Sequence, residues 1–252
     1  MNVPSIRWRI IDYTENDAFM NMAIDEAVSG SVAAGGPPTI RFYGWRPPAV
    51  SIGYFQSLEK EIDLEACRRA GVDFVRRRTG GGAVYHDTDG EITYSVIAGE
   101  DILPRDIIAS YRVICGWILR SLSIIGIEAE FKPINDIVSG GKKISGNAQT
   151  RRGGVLLQHG TILHSVDVER MFSLLRVSDE KIRDKMIATV KDRVTSVSEL
   201  SGASRDSLYR ALVQGFTEGK EFAFDSLTPE EVARAHALAL ERYRTGEWNR
   251  MR

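Results

Sequence analysis

Apolar positions along this chain change period repeatedly, and each change marks a candidate element. Residues 7–12 alternate in the manner of a short strand. Within 16–29, Met20, Ile24, Ala27 and Val28 recur at the spacing of one helix face. Residues 39–43 and 49–54 read as two strands joined across Pro47-Pro48. A charged helix is expected over 58–70, ended by Gly71, because glycine adopts the left-handed closing conformation without a Cβ penalty. Strands over 72–76 and 83–85 flank a glycine triplet, and 91–98 follows as another strand.

The longest helix is expected over 104–125. Pro104 suits a first turn, where no backbone N–H is needed, and Ile107, Tyr111, Ile114, Ile118, Leu122 and Ile125 form one stripe before Gly126. Further strands are expected at 128–132, 136–138, 142–145 and 154–164. Beyond residue 167 the pattern is mainly helical, through 178–185, 204–219 and 228–244. The last of these opens on Thr228-Pro229-Glu230-Glu231, the residues of a capped start. Strands and helices are interspersed without a regular βαβ beat, which predicts the α+β class. With no internal repeat or linker composition, residues 1–252 are expected to form one domain, 165–252 being its mainly helical C-terminal part.

Composition narrows the picture. A chain of 252 residues, 43% hydrophobic and 27% charged, can bury a substantial core. Lys and Arg total 33 against 34 Asp and Glu, so no broad field favours nucleic acid or a membrane surface, and neither partner is expected. Two cysteines, Cys67 and Cys115, cannot make a disulfide framework and form no Cys-x-x-Cys pair. The first residues lack the continuous apolar core of a signal peptide, and a cytoplasmic location is expected.

Two segments carry candidate chemistry. In the first, Arg76-Arg77-Arg78 precedes Thr79 and the triplet Gly80-Gly81-Gly82, then Ala83-Val84-Tyr85-His86-Asp87. Glycines allow a ligand close to backbone N–H groups, and arginine forks suit phosphate or carboxylate oxygens. A tight hairpin is the bland alternative. In the second, Lys142-Lys143 stands between Gly140-Gly141 and Ile144-Ser145-Gly146-Asn147-Ala148. Neighbours on a strand face opposite ways, so one lysine is expected to face a pocket and the other solvent. Asn135-Asp136 lies just upstream, where a carboxylate could hold hydrated Mg²⁺ or cap a turn.

In this order, with Ile40 to Tyr43, Gly53-Tyr54-Phe55-Gln56, His159-Gly160-Thr161 and Glu247-Trp248-Asn249, these segments resemble the lipoate–protein ligases, relatives of biotin–protein ligases. The resemblance spans nearly the whole chain. It implies a central mixed, largely antiparallel sheet flanked by helices, with a bifurcated pocket over the sheet. It further implies lipoate activation by ATP and Mg²⁺ to lipoyl-AMP, then transfer to a lysine of a lipoyl-domain acceptor. Such acceptors are 2-oxoacid dehydrogenase E2 or glycine-cleavage H-type proteins. Lys143 becomes the catalytic lysine. Arg76, Arg77, Thr79, Gly80, Gly81, Gly82, Val84, His86, Asn135, Asp136, Gly146, Asn147, Ala148, His159 and Thr161 become lipoate/ATP-binding positions, with Asp136 the possible Mg²⁺ ligand. No C-terminal accessory domain is expected, so the resemblance implies that the chain either works alone or requires a separately encoded small accessory subunit.

Two other readings remain. Octanoyl- and lipoyl-transferases of the same superfamily resemble this chain across Ile40 to Gln56 and Gly146 to His159, but they carry the acyl group on a cysteine. The segment from Phe131 to Gly146, where that thiol is expected, has none, which favours the ligase. The other is a regulatory module that binds an acyl-adenylate without turnover.

Overall fold

The computed structural model describes residues 6–177 and 180–252. Strand β1 (Arg7–Asn16) is followed by helix α1 (Ala18–Ala33), capped by the Asp17 carboxylate on Met20 N. Strands β2 (Thr39–Trp45) and β3 (Ala49–Ile52) come next, then α2 (Leu58–Glu61) and α3 (Leu64–Ala70). Strands β4 (Asp73–Arg76), β5 (Val84–His86) and β6 (Glu91–Gly99) lead to α4 (Ile107–Ile124). After β7 (Glu130–Lys132), β8 (Asp136–Ser139), β9 (Lys142–Arg152) and β10 (Val155–Leu163), the chain becomes mainly helical. That part comprises α5 (Val168–Leu174), α6 (Glu180–Arg193), α7 (Val197–Ser201) and α8 (Arg205–Thr217). It ends with β11 (Glu221–Phe224), α9 (Pro229–Leu238), a π-helical turn (Ala239–Tyr243) and α10 (Gly246–Asn249).

Among the described residues these strands make two sheets. The larger runs β11-β1-β2-β6-β10-β9-β8-β7, and the smaller runs β4-β3-β5. Strand β1 is parallel to both β11 and β2, whereas β2 through β7 pair antiparallel along the order, so the sheet is mixed. One face of the large sheet packs Ile10, Phe42, Tyr94 and Leu156 against Ile114 and Ile118 of α4 and Leu212 and Phe216 of α8. The opposite face packs Tyr43, Ile97 and Leu157 against Ala23 and Ala27 of α1 and Leu238 of α9. The α+β architecture with flanking helices is as the sequence predicts. Helix α4 is long and apolar enough to cross a membrane by length and composition, but its stripe is core of this sheet.

Several boundaries differ from the pattern reading. The helix expected over 58–70 breaks at Ile62-Asp63. There Asp63 N donates to Leu174 O at 2.9 Å and its carboxylate caps α3 through Ala66 N. Helix α4 starts three residues after Pro104, because Asp106 caps it by accepting from Ala109 N at 2.8 Å. Strand β9 does not stop at Ser145. Its pairing with β10 continues to Arg152, where Gly153 and Gly154, both at positive φ, turn the chain. Of the helix expected over 178–185, Ser178 and Asp179 lie outside the described residues, and α6 continues to Arg193. Strand β11 escaped the pattern, being four residues placed only by parallel pairing with β1.

Candidate active site

Between the two sheets lies a cavity of about 350 Å³ with a largely apolar wall, within the range of small-molecule sites. Strands β2, β3, β5, β6, β9 and β10 and the loops carrying Arg77 and Asn135 supply most of its polar groups. Met171 of α5 and Val190 of α6, with Val194, supply apolar cover. Arg77, Gly81, Gly82, Val84, His86, Asn135, Lys143, Gly146, Asn147, Ala148, His159 and Thr161 all line it, so strands far apart in sequence bring most of the expected positions together.

The two adjacent arginines do different things. Arg76 ends β4 fully buried, and its side chain turns away from the cavity. It donates to the carbonyls of Gly53, Tyr54, Gln56, Trp248 and Asn249 at 2.6–3.1 Å, while its own N–H donates to Asn249 Oδ1. Arg76 is therefore a clasp joining the glycine-loop region to α10. Arg77 is buried on the cavity side. Its partners among the described residues are Ser51 O (3.1 Å), Ser51 Oγ (3.0 Å), Gly80 O (2.8 Å) and Gly82 O (2.7 Å), and no carboxylate is among them. Burial pushes its pKa down to about 10, still cationic at neutral pH. Thr79 and Gly80 do not line the cavity. Thr79 lies behind His159, its Oγ1 at 2.7 Å from Nε2.

The lysine pair divides as strand alternation requires. Lys142 is exposed, while the half-exposed Lys143 reaches the cavity and pairs with Asp136 Oδ1 at 2.7 Å. Asp136 thus has an ammonium partner. No group of three potential metal-ligating side chains occurs among the described residues.

Two hydroxyl–imidazole–carboxylate chains converge on the site. In one, Ser51 Oγ lies 2.8 Å from His86 Nε2, and His86 Nδ1 lies 2.7 Å from Glu91 Oε1. In the other, Thr79 leads to His159, whose Nδ1 is 3.3 Å from Asp25 Oδ2. Asp25 also accepts from Arg41 Nη1 and Ser95 Oγ, both at 2.8 Å. Burial raises the Asp25 carboxyl, but His159 and the Arg41 charge outweigh it and hold the pKa below the ordinary value. Burial pushes the His159 imidazole down against the pull of Asp25. Sequence reading missed Ser51, Glu91 and Asp25. For Ser51 a signal existed: it is the polar position in the apolar run Ala49-Val50-Ser51-Ile52.

The cysteines are elsewhere. Cys67 is buried among α2, α3 and β3, and Cys115 on the core-facing side of α4. Neither lines the cavity, and burial pushes their thiols up to about 11 and about 12 respectively.

Residues 17–217 match the lipoyl protein ligase A/B catalytic domain. The chain belongs to that family. Among solved structures, this family member resembles a bi-partite lipoate protein ligase from Thermoplasma acidophilum. The TM-score is 0.88 and the identity 35%, covering 97% of this chain and 96% of that one. Among curated proteins, it is 39% identical to Octanoyltransferase LipM of Geobacillus kaustophilus and 40% identical to that of Kyrpidia tusciae. Each match covers 96% of this chain and 97–98% of the relative.

These relatives correct the functional expectation. An ATP-dependent lipoate–protein ligase forming an acyl-adenylate, with ATP and Mg²⁺ as cofactors, gives way to an octanoyltransferase relationship over the full chain. The misreading has a physical source: a missing thiol constrains which atom carries an acyl group, and says nothing about whether the reaction is acyl transfer.

Proposed function

We propose that this protein transfers an octanoyl group from a thioester-linked carrier to the lysine amine of a lipoyl-domain acceptor. The observation that carries this reading is 36–40% identity with octanoyltransferases across essentially the whole chain. The cavity suits it chemically. A wall including Met22, Leu163, Met171 and Val190 takes an alkyl chain, and buried Arg77 faces the same space as a fixed cation for the acyl carbonyl oxygen. A thioester is already activated, so the transfer draws on no nucleotide.

Lys143 is proposed as a catalytic group at the solvent-facing end of the cavity, held by Asp136. Its ammonium stabilises charge on the carbonyl oxygen as the incoming amine adds. The remaining lining positions Gly81, Gly82, Val84, Asn135, Gly146, Asn147, Ala148 and Thr161 are proposed to shape the acyl site. The acceptors are proposed to be lipoyl-domain proteins of the E2 or H type, and the compartment cytoplasmic.

The test supplies an octanoyl thioester and a lipoyl domain without nucleotide, and reads acceptor acylation by mass spectrometry. Octanoylated acceptor is expected. Product formed only from free octanoate plus ATP would overturn the reading. Lys143→Ala is expected to lower transfer about 10²–10³-fold. The double substitution Cys67→Ala/Cys115→Ala is expected to retain transfer, because both thiols lie outside the cavity.

A further inference from the structure

Octanoyl transfer between two carriers raises the question of which atom holds the acyl group in between, since no thiol lines the cavity among the described residues. Resting on the reading above, we propose that Ser51 carries the octanoyl group as an oxyester, with His86 as its base and Glu91 positioning His86.

The geometry follows from the small sheet. On β3, Val50 and Ile52 point into the core with α2 and α3, so Ser51 points the other way and lines the cavity. Ser51 pairs with Val84 and Ala49 with His86, which places Ser51 and His86 diagonally on one face of neighbouring strands. The 2.8 Å contact to Nε2 then closes the diagonal.

The proton positions are determined by the partners. A carboxylate oxygen only accepts, so the contact to Glu91 Oε1 assigns the hydrogen to His86 Nδ1 and the lone pair to Nε2. Arg77 Nη1 donates to Ser51 Oγ at 3.0 Å, which leaves the hydroxyl hydrogen for His86. Glu91 is held in turn: Thr93 Oγ1 donates to it at 2.8 Å and accepts from Trp45 Nε1 at 2.8 Å. The Trp45 indole also stacks on His86, with ring centroids 3.9 Å apart and planes 14° apart. The imidazole therefore has little rotational freedom, the condition for a base aimed at one hydroxyl.

The second chain is a poorer candidate. Thr79 is fully buried and does not line the cavity, and Asp25 is shared with Arg41 and Ser95. Ser51 is also nearly buried from bulk solvent, at 1% exposure, but it borders the cavity that the acyl group must enter.

The steps balance. Ser51 Oγ adds to the thioester carbonyl carbon as its proton passes to His86 Nε2. The C–S bond breaks, and the proton leaves with the carrier thiolate as a free thiol. The acceptor amine then adds to the ester carbonyl and the C–O bond breaks. The amine proton returns through His86 to Ser51 Oγ, leaving an amide and the original hydroxyl. Throughout, Arg77 stays beside the oxygen that gains and loses charge.

The experiment incubates the full chain with octanoyl-pantetheine thioester and no acceptor, followed by acid quench, intact-mass measurement and peptide mapping. One octanoyl group on Ser51 is expected, stable to neutral hydroxylamine and discharged when a lipoyl domain is added. Ser51→Ala is expected to lose the adduct. Ser51→Cys is expected to gain a hydroxylamine-labile thioester at the same position, which shows the site is folded and reached. His86→Gln is expected to slow adduct formation about 10²–10⁴-fold. Full acceptor transfer by Ser51→Ala, or an adduct mapped to another residue, would overturn the Ser51 proposal and leave octanoyl transfer standing. Absence of any transfer from the thioester would overturn both.

Discussion

At the scale of single residues, neighbours in sequence have separate tasks. Arg76 and Arg77 differ by one position on a strand end, and strand alternation sends one to five backbone carbonyls and the other to the cavity. Arg76→Met leaves those buried carbonyls without a donor. It is expected to cost about 3 kcal/mol, read as a lower thermal midpoint. His159 provides a pH signature. Its folded-state pKa lies below the ordinary value of about 6.5, so between the two values the unfolded chain binds a proton that the folded chain does not. This contribution to stability is complete above about pH 6.5 and is lost as pH falls through the window. Thermal midpoints measured at about pH 7 and about pH 5.5 are expected to fall more steeply in the natural protein than in His159→Gln. Equal slopes would remove His159 from the account.

At the scale of elements, the glycine loop depends on a glycine outside it. A Cβ on Gly53 would stand 2.0 Å from Gly81 O and 3.1 Å from Gly80 C, so the loop backbone has to move. Gly53→Ala is expected to slow octanoyl transfer about a hundredfold while the protein stays folded, because the displaced loop also holds Arg77. Circular dichroism with the transfer assay separates the two effects. The cover formed by α5 and α6 is tested in the same way. Val190→Asp sets a carboxylate in the cavity wall, and the KM for the octanoyl donor is expected to rise at least about tenfold.

At the scale of the whole molecule, the ends of the chain hold the sheet together. Arg9 on β1 makes a bidentate buried pair with Glu231 on α9, at 2.7 and 2.8 Å, and Glu231 also completes the capping box with Thr228. Glu231→Gln leaves Arg9 buried without its counter-charge. It is expected to destabilise the protein by about 3–5 kcal/mol, measured by urea unfolding. Nearby, Asn249 of α10 accepts from Arg76 N, so the C-terminal elements secure the loop region from behind. Loss of stability there is expected to loosen the site before the rest of the sheet, through the Arg76 clasp.

Much of this was determined by the sequence alone. Amphipathic stripes located α1 and α4, since a helix buries one face whatever it packs against, and the capped start at Thr228 located α9. The order of the Arg-Gly, Lys-Lys and His-Gly-Thr segments gave the family, and most of their residues line one cavity. Tertiary structure decided the rest. Alternation tells which residues share a face and not which face meets a ligand, so Arg76 and Arg77 were indistinguishable until β4 was placed. Strand β11 and the break at Asp63 depend on partners far along the chain, Arg7–Ile10 of β1 and Leu174, which no local pattern encodes. The Ser51–His86–Glu91 chain draws on three strands and became visible only when β3, β5 and β6 were brought together. A hydroxyl beside an imidazole is a matter of ångströms across a fold, not of spacing along a sequence.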